Sequence, residues 1–289
     1  MTPSDGPTDP LITADALKSI LNAPDVRLVD ATWARGWVAD DPDGHSAFEA
    51  ARIPGAVFFD IDDISEHLSK LPHMLPRAEK FASRVRRLGI GDGHRIIVYD
   101  NNDGFASARV WWMFRVMGHG DVQVLDGGMK AWVAAGGEVD DAPPVPLMER
   151  HFTARVRSDL VKTYEQVRRL IDAKAAQIVD ARPNGRFAGT APEPRPDLQS
   201  GHMPGAKNVP AGGVFSADGV YQDANALRTV FERAGVDLSK PIVTSCGSGV
   251  TAAMLALALA RLGRWDVSVY DGSWTEWAQR EGSPIETAS

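Results

Sequence analysis

Pro241-Ile242-Val243-Thr244-Ser245-Cys246-Gly247-Ser248-Gly249-Val250-Thr251 decides how the chain is read. Ile242 to Thr244 is β-branched and reads as a buried strand. Val250 to Leu262 is rich in Ala and Leu and reads as a helix, stopped by Gly263. Cys246, the only cysteine, therefore sits in a strand-to-helix turn with two glycines, just ahead of a helix N-terminus. Such a turn gathers backbone N–H groups and the positive end of a helix dipole, and both favour a thiolate. That makes Cys246 a candidate nucleophile. By composition alone a lone cysteine is a small buried hydrophobe; the Gly-rich strand–loop–helix setting favours the nucleophile.

The rest of the composition sets limits. A chain of 289 residues suggests about two domains. Its 44% hydrophobic content is ordinary for a soluble globular protein. A net charge of −7 argues against a general nucleic-acid binder. One cysteine excludes an intramolecular disulfide framework and a multi-cysteine metal cluster, and no His/Cys/Asp grouping has metal-ligand spacing. No metal and no cofactor are expected. Met1 to Pro10 is polar and Pro-rich and reads as a disordered tail without a signal-peptide core. No apolar run reaches membrane-spanning length. A free thiol suits a reducing compartment, so the cytoplasm is the expected location.

Outward from the cysteine loop, the chain repeats itself. Ile178-Val179-Asp180-Ala181 matches Leu28-Val29-Asp30-Ala31, and Met203-Pro204-Gly205-Ala206 matches Ile53-Pro54-Gly55-Ala56, both 150 residues apart. Val267-Ser268-Val269-Tyr270-Asp271-Gly272 matches Val122-Gln123-Val124-Leu125-Asp126-Gly127, 145 residues apart. Thr13 is placed to cap a first helix, and Thr163-Tyr164-Glu165-Gln166 is a capping-box pattern before its second copy. A sustained repeat of this size means two copies of one domain. Alternating strands and helices make each an α/β domain with a mostly parallel sheet flanked by helices. The expected division is an N-terminal repeat over 11–141, a linker over 142–160 with its Pro-rich start at Ala142 to Pro146, and a C-terminal repeat over 161–289. Without gaps Cys246 aligns with Asn101, so the first repeat has no nucleophile at that loop.

These features together resemble the tandem rhodanese-type sulfurtransferases over nearly the whole chain, from about residue 11 to about 285. The neutral loop Cys246-Gly247-Ser248-Gly249-Val250-Thr251 is similar to the 3-mercaptopyruvate branch; thiosulfate-specific members typically carry cations there. Phe58-Phe59-Asp60-Ile61-Asp62, His73-Met74-Leu75-Pro76, Gly185-Arg186-Phe187, Glu193-Pro194-Arg195 and Tyr270-Asp271-Gly272-Ser273-Trp274-Thr275-Glu276-Trp277 look like that branch too.

The resemblance implies an activity. The Cys246 thiolate would take a sulfane sulfur from 3-mercaptopyruvate, release pyruvate and pass the sulfur from a persulfide to an acceptor. A thiol acceptor such as thioredoxin or a small dithiol, or cyanide, would complete the cycle. Backbone N–H groups from Gly247 to Thr251, including Gly249 and Val250, would surround the sulfur anion. Arg186 and Arg195 would bind the donor's carboxylate and ketone, a role that a guanidinium fork fits; on composition alone they are solvated loop arginines. Ser248, His73 and Asp62 would form a proton relay, with the first repeat supplying His73 and Asp62. His202 and the Trp111-Trp112 pair read as structural, and Asp271 and Glu276 as serving turns and surface. Two other readings stay open, a thiosulfate sulfurtransferase and a non-catalytic persulfide carrier; a Cys-dependent phosphatase is disfavoured. The phosphatase needs a His before the Cys and an Arg six residues after it, where this chain has Ser245 and Ala252.

Overall fold

Each half of the chain folds its β-branched runs into a five-stranded sheet in which every pairing is parallel. The computed structural model describes residues 9–35, 43–195 and 197–287. Most of the expected N-terminal tail lies outside the described residues. The first sheet contains β1 (Leu11–Ile12), β2 (Val26–Asp30), β3 (Val57–Phe58), β4 (Arg95–Tyr99) and β5 (Val122–Leu125), in the order β1-β5-β4-β2-β3. The second contains β6 (Val161–Lys162), β7 (Gln177–Asp180), β8 (Lys207–Asn208), β9 (Ile242–Ser245) and β10 (Ser268–Tyr270), in the order β6-β10-β9-β7-β8. The central strands β4 and β9 are buried along almost their whole length, as a parallel sheet covered on both faces requires.

Two compact units result. The first takes the chain up to Glu66, Leu75–Arg157 and Asp218–Val220. The second takes His67–Met74, Ser158–Ala217 and the chain from Tyr221 onward. Residues 142–157 are tied to the first unit. Phe152 is buried among Phe81, Phe114 and His119, and the N–H groups of Arg155 and Arg157 donate to the carbonyls of Met117 and Val116.

Local signals set the helix starts. Thr13 Oγ1 accepts the Ala16 N–H, and Thr163 and Gln166 form the reciprocal capping box. The helix Ser107–Val116 is buried on all sides, with Trp111 and Trp112 inside. The helix Ala252–Arg261 is buried at every residue but Arg261.

Sheet register corrects one alignment. Asp30 pairs with Tyr99 as Asp180 pairs with Ser245. The Met129 N–H donates to the Asp100 carbonyl as the Trp274 N–H donates to the Cys246 carbonyl. Asp100, not Asn101, is therefore the counterpart of Cys246. The gapless alignment slips because the loop Asn101–Ala106, before the first unit's helix, is one residue longer than Gly247–Thr251.

The two β-strand ends also differ in charge. Asp180 is neutralised by Arg182, which donates Nε and Nη2 to its carboxylate at 2.8–3.1 Å. Asp30 is equally buried, at 1% exposed, but accepts only neutral donors such as the Thr32 N–H at 2.8 Å. Burial pushes its carboxyl up to about 6, and the nearby Asp100 adds to the effect. An acid held above its ordinary value stabilises the fold most below about pH 4, and that contribution is lost as pH rises through about 6. Asp30→Asn should therefore unfold at a higher temperature than the wild type at pH 7, by up to about 3 kcal/mol of stability, with the gap closing towards pH 4. Thermal melts at the two pH values check this; a gap independent of pH would contradict it.

Candidate active site

The site is built at the C-terminal end of β9, where the chain leaves the sheet. Cys246 is 2% exposed, and its Sγ accepts the Gly249 N–H at 3.1 Å. Gly249 has φ +82°, the left-handed geometry that glycine adopts without steric cost and that redirects the chain into the helix beyond it. Ser248 and Val250 are also buried. The N–H groups of Gly247, Ser248, Val250 and Thr251 donate to no acceptor among the described residues. Ser248 and Val250 are buried and Gly247 and Thr251 half-buried, so these donors are open to an acceptor that enters the loop.

The first unit presents the same loop in closed form. Asp100 is 1% exposed, and its carboxylate accepts four backbone N–H groups. Oδ1 takes Asn102 at 3.0 Å and Gly104 at 2.9 Å; Oδ2 takes Ala106 at 2.9 Å and Ser107 at 2.7 Å. The loop type thus gathers donors around an anion carried by the residue at the Cys246 position.

The loop is fixed from beneath by residues that sequence reasoning missed. Ser273 Oγ accepts the Cys246 N–H at 3.1 Å and donates to the Tyr270 carbonyl at 2.8 Å. Its φ of +51°, uncommon for a non-glycine, is the kind of local strain that persists where surroundings enforce it. Thr275 donates both its N–H, at 2.9 Å, and its hydroxyl, at 2.7 Å, to the Gly247 carbonyl. The only signal for either was their place inside the Tyr270–Trp277 string. In that string Asp271 is buried rather than a surface group. Glu276, also expected at the surface, accepts the Tyr270 hydroxyl at 3.0 Å and pairs with Arg280 at 2.8 Å.

Arg186 and Arg195 come from the segment after β7. The helix Asn184–Ala188 carries Arg186, and a Cβ built on Gly247 would lie 3.1 Å from its Nη2. Its Nε and Nη2 donate to Glu193 at 3.1 and 2.7 Å, so one edge of its fork is already engaged. Arg195 makes no hydrogen bond or ion pair among the described residues. Burial holds its guanidinium below the ordinary value; Cys246 and, less strongly, Glu193 pull it back up, and Arg186 pushes it down. A half-buried cation within electrostatic reach of the cysteine is therefore poised for an anion.

The relay residues are placed differently. His73, with φ +58°, lies in the segment His67–Met74 that packs with the second unit. Ser248 Oγ makes no hydrogen bond among the described residues. Asp62 belongs to the first unit, in the short helix Ile61–Ile64, where Trp33 Nε1 donates to its Oδ2 at 2.8 Å. His202 is structural: its ring stacks on Phe187 at 4.0 Å, and its Nδ1 lies 2.9 Å from the Phe187 carbonyl.

The rhodanese-like domain family matches the chain twice, over residues 13–135 and 163–280. The chain belongs to the rhodanese family. This rhodanese is 40% identical over 269 residues to the human 3-mercaptopyruvate sulfurtransferase, covering 92% of this chain and 90% of that one. It is 40% identical over 279 residues to the rat thiosulfate sulfurtransferase, covering 95% of this chain and 91% of that one. The crystal structure of SseA from Escherichia coli, a 3-mercaptopyruvate sulfotransferase, superposes with a TM-score of 0.84 at 38% identity, over 92% of this rhodanese and 99% of that chain. No helix among the described residues of this rhodanese is long and apolar enough to cross a membrane.

Proposed function

We propose that the chain is a 3-mercaptopyruvate sulfurtransferase acting through a persulfide on Cys246, the reading that the loop chemistry and the relatives' names support together. The observation that carries it is the buried Cys246 in a loop where the N–H groups of Gly247, Ser248, Val250 and Thr251 meet no acceptor among the described residues, within electrostatic reach of Arg195, which makes no ion pair among them. The Cys246 thiolate attacks the donor sulfur. The C–S bond breaks, its electron pair goes to pyruvate as the enolate, and the sulfur stays on Cys246. The loop N–H groups hold the terminal sulfur anion. Arg195 and the outer edge of Arg186 hold the carboxylate and ketone. A thiol such as thioredoxin or a small dithiol, or cyanide, then takes the outer sulfur. The C-terminal repeat over 161–289 carries Cys246, Arg186 and Arg195 and does this chemistry, and the segment His67–Met74, which brings His73, belongs to the same compact unit. Ser248, His73 and Asp62 deliver the proton to the enolate carbon. The free thiol favours a reducing compartment such as the cytoplasm.

A second reading, thiosulfate sulfurtransferase, is favoured by the rat relative of that name. One experiment separates the two: kcat/KM for both donors, in wild type and in His73→Ala. A preference for mercaptopyruvate of about tenfold or more, about 1.4 kcal/mol of discrimination, is expected. His73→Ala should slow that donor more than thiosulfate, because sulfite leaves without a carbon-bound proton. Equal slowing of both donors would remove the relay; a thiosulfate preference would favour the second reading.

A further inference from the structure

We propose that Glu193 is a positioning residue that orients Arg186 toward the anionic donor and leaves Arg195 as a whole fork for its carboxylate. The inference rests on the sulfur-transfer reading of the loop. The Glu193 side chain is 1% exposed, and its two oxygens do separate jobs. Oε1 accepts Arg182 Nη1 at 2.7 Å, while Oε2 accepts Arg186 Nε at 3.1 Å and Nη2 at 2.7 Å.

Arg182 is itself immobilised. It donates to Asp180 and to the Gly201 carbonyl at 2.6 Å, and it lies 4.2 Å over the Trp274 ring. Glu193 is thus anchored to the sheet end by a buried cation and passes that rigidity to Arg186. Asp180, Arg182, Glu193 and Arg186 balance to zero formal charge. The positive charge left over is Arg195, which makes no ion pair among the described residues although the charges of Cys246 and Glu193 reach it. With its Nε–Nη2 edge held by Glu193, Arg186 has Nη1 free of hydrogen bonds among the described residues, and its Nη2 sits beside Gly247.

Charge and orientation predict opposite signs. Removing a carboxylate beside two guanidinium groups strengthens anion binding by charge alone. If Glu193 acts by orienting Arg186, its removal weakens binding. Glu193→Gln should raise KM for mercaptopyruvate by about tenfold with kcat changed less than about twofold, and Glu193→Asp, which keeps the charge on a shorter reach, should recover part of the loss.

A second readout needs no turnover: the rates at which iodoacetate and iodoacetamide alkylate Cys246, as a ratio normalised to a small free thiol. Wild type should favour the anionic reagent, and Glu193→Gln should lose that preference. No preference in wild type would overturn the anion-site reading itself. A preference that Glu193→Gln leaves intact, or a KM that is unchanged or lower, would overturn only the role of Glu193. Failure of both variants to fold, seen in thermal melts, would make Glu193 a folding residue and overturn the proposal as well.

Discussion

Cys246→Ser should lower sulfur transfer by at least about a thousandfold with either donor. A serine hydroxyl is not ionised near neutral pH, and its oxygen cannot carry sulfur as a persulfide. The fold should be nearly unaffected. The serine oxygen can accept the Gly249 N–H in place of Sγ, and the loop is also fixed by Ser273 and Thr275 through backbone atoms. Steady-state assays with a thermal melt check this. Mass spectrometry adds a direct readout: wild type exposed to donor should gain one sulfur atom, and Cys246→Ser should not. Retained turnover would move the nucleophile elsewhere. A sulfur adduct on wild type that passes to no acceptor would favour the persulfide carrier.

Asp100→Ala should destabilise the first unit by about 3–5 kcal/mol, among the largest effects expected of one substitution outside the site. Four backbone N–H groups converge on this carboxylate, and its removal leaves them without an acceptor in a buried loop. Asp100→Asn should help little, because its amide nitrogen would face N–H donors on one side. Part of the loss is offset, since removing Asp100 relieves the neighbouring Asp30, whose carboxyl its charge helps to raise. Denaturant unfolding of the variants checks this; a change below about 1 kcal/mol would mean that the loop closes without an anion. The same result bears on Cys246, because the two loops are counterparts at the ends of β4 and β9. An anion required at one shows what the other is shaped to accept.

Much of the fold was legible because it depends on neighbours in sequence. Helix caps at Thr13 and Thr163, the β-branched runs of β4 and β9 and the Ala/Leu run of Ala252–Arg261 are local signals. The family was legible from the repeat and the loop around Cys246. The loop's support was not. Ser273 meets Cys246 only because β10 lies beside β9, and nothing near residue 246 in sequence announces it. The counterpart of Cys246 was misplaced by one residue, because a gapless comparison cannot see the extra residue after Asp100.

By itself the sequence determined two α/β repeats, a single thiol at a strand-to-helix turn, and arginines in the segment that follows β7. Periodicity, caps and composition act over a few residues, so they can be read from a string. Only the tertiary structure decided that Glu193 engages one edge of Arg186, that Arg195 makes no ion pair among the described residues, and that Asp100 fills the first loop. Those facts depend on strand register and on which buried charges meet, and both follow from how distant segments pack.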